Sequence, residues 1–535
     1  MAESKTESLG NKPRFTFSST GQGSATFDVA SLQGTESLSK LFRFELTLIS
    51  SSTELDFTQM LGKPATLTIL SIDGNTEVPY HGILCELEQG NPLRGSAIYR
   101  AVLVPTLWQL SLTKTNEVYG NEQTIPQIIE SVLKANNLTS LDYQMSLMNS
   151  TQYRQRSFVC QYQETSLDFV QRWFESEGLY YYFDHGTDGA KTAKLMILDY
   201  KQAEPATALK LVYAQKEDLQ TAMQDNCIFN FTCTQTFLPK TVVVQDYNYR
   251  KASLGDQLQA SAAASPTGQG EVMYFGDNLR TTNDATNLAK IRAEELLCRE
   301  QIFAGNATAV GLRSGYKIEL SGHYRSSFNG SYLVTEVEHR GALAGVLFSG
   351  DRDASTDDAG GIIYECNFKA IPSSKQFRPE RTTPWPTIAG LMSATVDDEG
   401  DGKYAQLNEY GQYKLQLLYD QTSKQPNKGS CWVRLATPYA GVKNGLHFPL
   451  LKGTEVMLAF MHGDPDQPMI VGAVSNSENK NVITNQNATA AGVLSPSTNM
   501  ISVSDLEGDE SVCFYSPQGG ATIIIGSLEG SSSKK

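Results

Sequence analysis

Asp184 and His185 stand side by side after the aromatic run "LYYYF". An acid beside an imidazole suggests a hydrolytic relay, but neighbours on a strand point to opposite faces, so adjacency alone builds none. Glu175 and Glu177 are the nearest thing to paired carboxylates for acid/base work. At the polar end of a helix they read as solvated. The loop "DDEGDGKYAQLN", Asp397 to Asn408, has acidic groups at positions 1, 3 and 5 and a glycine at 6, as a calcium-binding EF-hand does. Its twelfth residue is Asn408 rather than Glu, and its flanks read as strands, so an exposed loop is the simpler reading. The eight cysteines form no CxxC pair and read as buried free thiols. The six histidines include no HExxH and no pair at helical spacing. With no GxSxG elbow, Walker loop or dinucleotide fingerprint, the expectation is a chain with no catalytic residues, no cofactor and no metal.

The segment that carries several of these residues is "FVCQYQETSLDFVQRWFESEGLYYYF", Phe158 to Phe183. Thr165 is placed to cap a helix with Asp168 three residues on, and Leu167, Val170, Trp173 and Phe174 fall on one helical face. Gly178 suits the left-handed residue that ends the helix, and Leu179 to Phe183 resumes as a strand. Trp173, Phe174 and Tyr180 to Tyr182 read as packing rather than ligand contacts.

Around this segment, 535 residues exceed what one core can hold and divide into several domains. Abundant Tyr, Phe, Gly, Thr and Val predict a β-rich protein. A net charge of -14 argues against nucleic acid as the main partner, because counterion release needs clustered Lys and Arg. No apolar run of about twenty residues predicts a membrane-spanning helix. Met1 to Lys12 lacks the apolar core of a signal peptide, so synthesis in the cytoplasm is expected.

Residues 1–14 read as a flexible N-terminus and 15–375 as β-barrel structure, two barrels with helical insertions. "TIPQIIESVLKANN" is one helix, with a capping box at Thr124 and Gln127; another begins near Asp284. Pro379, Pro384 and Pro386 mark 376–386 as an exposed linker. Five short strands over 387–476 fit a closed barrel of OB type, and 477–500 reads as a second linker. In the tail, 501–535, Ile501 and Val503, Val512 and Phe514, and Ile523 and Ile525 form three apolar pairs, each eleven residues from the next. One chain cannot bury that surface within so short a tail, whereas three wound together can. The expected fold class is mainly β with inserted helices: β-barrel hub domains, an OB-fold barrel and a short C-terminal trimeric β-prism or β-helix.

"YRQRSFVCQYQETSLDFVQRWFESEGLYYYF", Tyr153 to Phe183, closely resembles the characteristic segment of the VgrG family, the spike proteins of type VI secretion and their relatives in contractile phages and extracellular injection particles. "YLVTEVEHRG", "NEYGQYKLQLLYD", "SCWVRLATPYAG" and "GTEVMLAFMHGDPDQPMIVGAV" extend the resemblance over roughly 15 to 476 in the family's order. The chain departs from the family at Gln412 and Leu450, where Arg is usual, and by one extra residue before Gly453. The resemblance implies a non-enzymatic homotrimeric spike that connects an inner tube to a tip and punctures a target cell envelope. It implies as partners an inner-tube or tail-tube protein, baseplate proteins and a PAAR-like cap on the tip near Ile523 to Ile525. It also implies assembly into an injection particle, then secretion or delivery into the target envelope. An envelope-degrading hydrolase and a glycan-binding tail module remain open as alternatives.

Overall fold

The computed structural model describes residues 14–71, 74–92, 95–148, 152–186, 192–214, 227–342, 363–398, 403–420 and 429–526. The N-terminus read as flexible lies, apart from Arg14, outside these residues.

Phe15 and Phe17 are buried while Thr16 and Ser18 are exposed, the period-two pattern of a strand with one face on a core. Six strands of this kind pair in the order Phe15–Ser19, Pro64–Leu70, Glu77–Gln89, Ala97–Val104, Arg43–Ser50 and Asp28–Ser37. Thr16 opposite Asp28 closes them into a barrel. A second ring runs through Gly330–Ala342, Lys317–Ser321, Ala208–Tyr213, Cys227–Gln235, Gln301–Ala307 and Ile363–Pro372. Its weakest joint is parallel and only two residue pairs long, Val212 opposite Cys227 and Tyr213 opposite Ile228.

The strand Gly330–Ala342 belongs to both rings. Its first residues pair with Lys317–Leu320, and from Glu336 onward the same edge pairs with Ser31–Ser37. Ile363–Pro372 runs along its other edge throughout. Inside this fork a buried chain of polar groups replaces apolar packing. His339 Nε2 lies 2.9 Å from Glu36 Oε1, His339 Nδ1 lies 2.8 Å from the Tyr364 hydroxyl, and Ser314 Oγ donates to Glu36 Oε2 at 3.1 Å. Such groups are tolerated in a core only because each meets a partner.

The segment with the aromatic strand folds as its residue pattern predicts, with one change of face. The helix spans Ser166–Glu177; Thr165 accepts from Asp168 N, and Gly178 closes it at φ 71°. Val170, Trp173 and Phe174 are buried as expected, while Phe169 is fully buried and Leu167 only partly, so the buried stripe differs at one position. It is also wider than the apolar residues alone imply, because Arg172 and Glu175 are buried too. The strand Tyr180–Asp184 follows and pairs with Lys194–Leu198. Helix Thr282–Leu297 starts two residues earlier than expected, since Asp284 is the reciprocal partner of the cap Thr281 rather than the first helical residue. It covers the small sheet of Gln259–Ala263, Thr241–Gln245 and Glu271–Phe275.

The chain divides into two compact units between Thr387 and Ile388. In the second, strands Lys414–Leu417, Met392–Asp397, Glu455–Phe460, Pro468–Ala473 and Arg434–Leu435 lie side by side in that order. Tyr413 and Val433 exchange backbone bonds at 2.8 and 2.9 Å, which joins the first strand to the last and closes the barrel. Ala490–Leu494, Met500–Ser504, Ser511–Ser516 and Ala521–Gly526 then form a four-stranded antiparallel meander. Its first strand lies inside the stretch read as linker, 477–500, where "AAGVL" is too short and too small in its side chains to signal a strand.

His185 is buried in the first unit, and its Nδ1 accepts from His81 N at 2.9 Å. Burial, with Arg313 and His81 adding repulsion, holds its pKa well below the ordinary 6.5. Below that pH the unfolded imidazole takes up a proton that the folded one refuses. This contribution to stability is therefore intact above about pH 6.5 and is lost progressively as the pH falls beneath it. Guanidinium unfolding at pH 7.5 and 5.0 should show wild type losing more stability on acidification than His185→Gln, by on the order of 1 kcal/mol.

Candidate functional site

Two places in the molecule hold side chains whose arrangement goes beyond packing. The first is the seat of the segment read as an exposed linker, 376–386. This segment is a strap bound along the first unit: Phe377 and Arg378 are buried. Arg378 Nη1 donates to Gly178 O at 2.7 Å and Asp199 O at 2.8 Å, and its Nε pairs with Glu294 at 2.7 Å. Arg381 pairs with Asp277 at 2.8 Å. The prolines that suggested exposure instead keep the strap extended, without donors to satisfy.

Glu175 holds the middle of the strap. Its Oε2 accepts the backbone N–H groups of Thr382 and Thr383, both at 2.9 Å, and its Oε1 accepts Thr383 Oγ1 at 2.8 Å. Glu175 is thus the reverse of the solvated helix-end acid expected. Glu177 pairs with Arg156 at 2.9 Å. One turn earlier Arg172 makes a two-point pair with Glu164, both contacts 2.8 Å, and its guanidinium lies 4.2 Å from the Trp385 ring. Trp385 meets Trp173 edge to face at 4.9 Å. The helix therefore presents a carboxylate, a guanidinium and an indole to one strap. The helical period places Arg172 and Glu175 beside the buried stripe, but it does not reveal the strap as their partner.

The second place is the tail. Ile501 stands opposite Phe514 and Phe514 opposite Ile523; Val503 stands opposite Val512 and Val512 opposite Ile525. The six residues predicted from eleven-residue spacing thus form two cross-strand rows on one face of the meander. Val493, opposite Ile501, extends the first row. Ile523 and Ile525 are 62% and 64% exposed, and Ile501 and Phe514 nearly half, so the face is uncovered within one chain. Each is already about half covered, so burying the remainder is worth roughly 1 kcal/mol apiece.

The residues that suggested chemistry lie elsewhere. His185 is occupied by the His81 amide, and Asp184 accepts from the Tyr316 hydroxyl at 2.9 Å, so the two form no relay. Asp398 is buried and accepts from Gln406 N at 3.1 Å. Residues 399–402 of the acidic loop lie outside the described residues. Among the described residues no three His, Cys, Asp or Glu side chains gather as metal ligands.

Residues 35–344 match the phage tail baseplate hub (GPD) family, more than half of the chain. The chain belongs to that family. Residues 408–474 match the type VI secretion system/phage-baseplate injector OB domain. The spike protein VgrG1b of Pseudomonas aeruginosa is 29% identical over 463 residues, covering 85% of this chain and 59% of its own length. The spike protein VgrG5 of the same organism is 30% identical, covering 85% and 56%, and VgrG3 of Vibrio cholerae is 28% identical, covering 82% and 41%. The hub chain spans about three fifths of the length of the first of these relatives. Among solved structures, the E. coli c3393 protein shares the fold with a TM-score of 0.61 at 24% identity, covering 86% of this chain and 99% of its own. That protein is a component of the type VI secretion system with structural similarity to the T4 bacteriophage tail proteins gp27 and gp5. A chain of the half-lidded Francisella PdpA–VgrG complex aligns at 0.63 and 9% identity, over 94% of this chain and 83% of its own, which shows the fold alone. The VgrG-like resemblance read from Tyr153 to Phe183 is borne out, as is the mainly β fold class with an OB barrel.

Replacing Glu175 by Ala leaves two strap amides without their acceptor, at about 1–3 kcal/mol. Hydrogen exchange should show Thr382 and Thr383 losing protection by about tenfold or more, while the aromatic strand Tyr180–Asp184 keeps its own.

Proposed function

We propose that this chain is a structural spike subunit, hub plus needle base, that acts as a homotrimer at the tip of a contractile injection machine. The hub match over 35–344 followed by the injector OB match over 408–474 carries this reading, because it puts the two parts in the order a spike requires. The uncovered apolar rows of the tail support the threefold state, since three such faces turned inward would form a dry core that one chain lacks. On this reading the chain runs as hub, OB needle base and tip, and the strand Ala490–Leu494 supports starting the tip sheet at Ala490.

The part played is mechanical rather than catalytic. Contraction of an outer sheath drives tube and spike outward, and a narrow rigid tip concentrates the force on a small area of target envelope. The strap supports this reading in the hub, because its backbone is held by a charge-assisted clamp rather than left slack. On the same reading the hub docks on an inner-tube protein among baseplate proteins, the tip takes a PAAR-like cap, and the assembled particle carries the chain out of the cytoplasm in which it is made. The two alternatives lose ground: the candidate acids and His185 are engaged in packing bonds, and nothing favours glycan recognition at the barrel.

Native mass measurement on the full chain and on a version ending at Asn487 tests the reading. A trimer for the full chain, weakened at least about tenfold in dissociation constant without the meander, is the expected result. A full chain that remains monomeric at micromolar concentration would overturn the self-assembled spike.

A further inference from the structure

The second unit carries an arm that its own barrel does not cover. Between strands Arg434–Leu435 and Glu455–Phe460 the chain turns back on itself: Gly441 N donates to Asn444 O at 2.8 Å and Leu446 N to Tyr439 O at 2.9 Å. The base is pinned, with Leu450 N donating to the Tyr413 hydroxyl at 3.0 Å and His447 stacked on the Tyr413 ring. At the tip Val442 is 99% exposed, and Tyr439 and Phe448 are more than half exposed. A hairpin with fixed bonds and a bare apolar tip is built to meet another surface.

A second apolar strip lies at the foot of the arm. Tyr404 bridges to Leu451 and Ala405 N donates to Leu450 O, and the chain then runs on through Leu407 and Tyr410, 42% and 70% exposed. Glu409 stands in this strip and Lys443 in the arm tip; both are exposed, and neither makes an ion pair with a described residue of its own chain. The strip continues toward the tail, since Lys403 Nζ donates to Pro496 O at 2.9 Å in the turn between the first two meander strands.

We propose that the arm is an intersubunit clasp: the tip of one copy, Val442 and Lys443, packs on Leu407 to Tyr410 of the next, and Lys443 meets Glu409 there. Two different patches on one chain that fit each other make a head-to-tail contact, which closes into a ring under threefold rotation. The occupant is a second copy because one chain supplies both halves, apolar against apolar and cation against anion, and because the chain at the strip's start is bonded to the turn of the meander assigned to the same trimer. An aromatic side chain buries roughly 150–250 Å². The exposed side chains of arm and strip therefore offer on the order of 600 Å² per copy, most of the ~800 Å² per partner of a stable interface. The clasp rests on the trimeric reading and gives the barrel its own share of the threefold contact.

Sedimentation of the full chain tests it by charge exchange. Lys443→Glu and Glu409→Lys should each raise the trimer dissociation constant about tenfold, Val442→Asp at least as much, and the Lys443→Glu/Glu409→Lys pair should return to within about threefold of wild type. Unchanged circular dichroism and melting of the isolated subunits would show that folding is intact. If wild type is trimeric and indifferent to all three single changes, or if the paired variant is no better than its parents, the clasp is wrong and the trimeric spike stands. If wild type is monomeric at micromolar concentration, both readings fall.

Discussion

The first unit depends on one strand that serves two barrels. Gly330–Ala342 is thirteen residues long, and no single ring uses all of it: one edge passes from Lys317–Leu320 to Ser31–Ser37 near Thr335 and Glu336. A strand that changes partners part-way along must kink, and the register against Ile363–Pro372 shifts between Val334 and Glu336 at that point. The fork cannot be filled by apolar side chains alone, because two diverging walls leave a wedge between them. His339, Glu36, Tyr364 and Ser314 fill it with mutual hydrogen bonds, and Phe44 and Tyr80 pack their rings against His339. Sliding either ring by one residue would break these bonds and turn the alternating faces outward. The two barrels are therefore locked in register as well as joined.

From that frame the helix Ser166–Glu177 gains a second task. Its apolar face packs into the first barrel's core, and its buried Arg172 and Glu175 hold the strap that leads to the second unit. Buried ion pairs add little net stability, because desolvation offsets most of their attraction. Burial pushes the Glu164 carboxyl up despite the guanidinium of Arg172 beside it. What such groups provide is direction. A carboxylate that accepts two consecutive backbone amides fixes the strap at one register, which a greasy contact would not do. If the chain bears load as proposed, a strap fixed at a single register is the more useful property.

Local features of this architecture were legible in the sequence, and distant ones were not. Thr165, Asp168 and Gly178 announce the helix because caps act within four residues. The rows of the meander were legible because antiparallel neighbours there lie one turn apart in sequence. Glu175 was misread because its partners, Thr382 and Thr383, lie more than 200 residues away, and nothing near it hints at them. The strap was misread for the same reason: proline signals an extended backbone, and only the distant acceptors decide whether an extended backbone is bare or bound. The strand Ala490–Leu494 was hidden because its small residues carry no β signal of their own; it exists because Met500–Ser504 pairs with it.

The two units differ in how they come by stability. The first buries Trp173, Tyr80, Tyr99, Tyr180 and Phe44 essentially completely, while Phe237, Phe275 and Tyr324 are more than half exposed. The second holds a modest barrel core around Tyr413, Leu415, Val456, Leu458 and Ile470, yet leaves much apolar surface bare on arm, strip and meander. Small domains are marginal because too little of their surface is removed from water, and one that leaves its best apolar residues outside forgoes part of what it needs. On the trimeric reading association recovers it, and the stability of this unit should then rise with concentration in a way that the hub's does not. On the proposed trimer, a part that is fully stable only once gathered around an axis is also one that resists coming apart there.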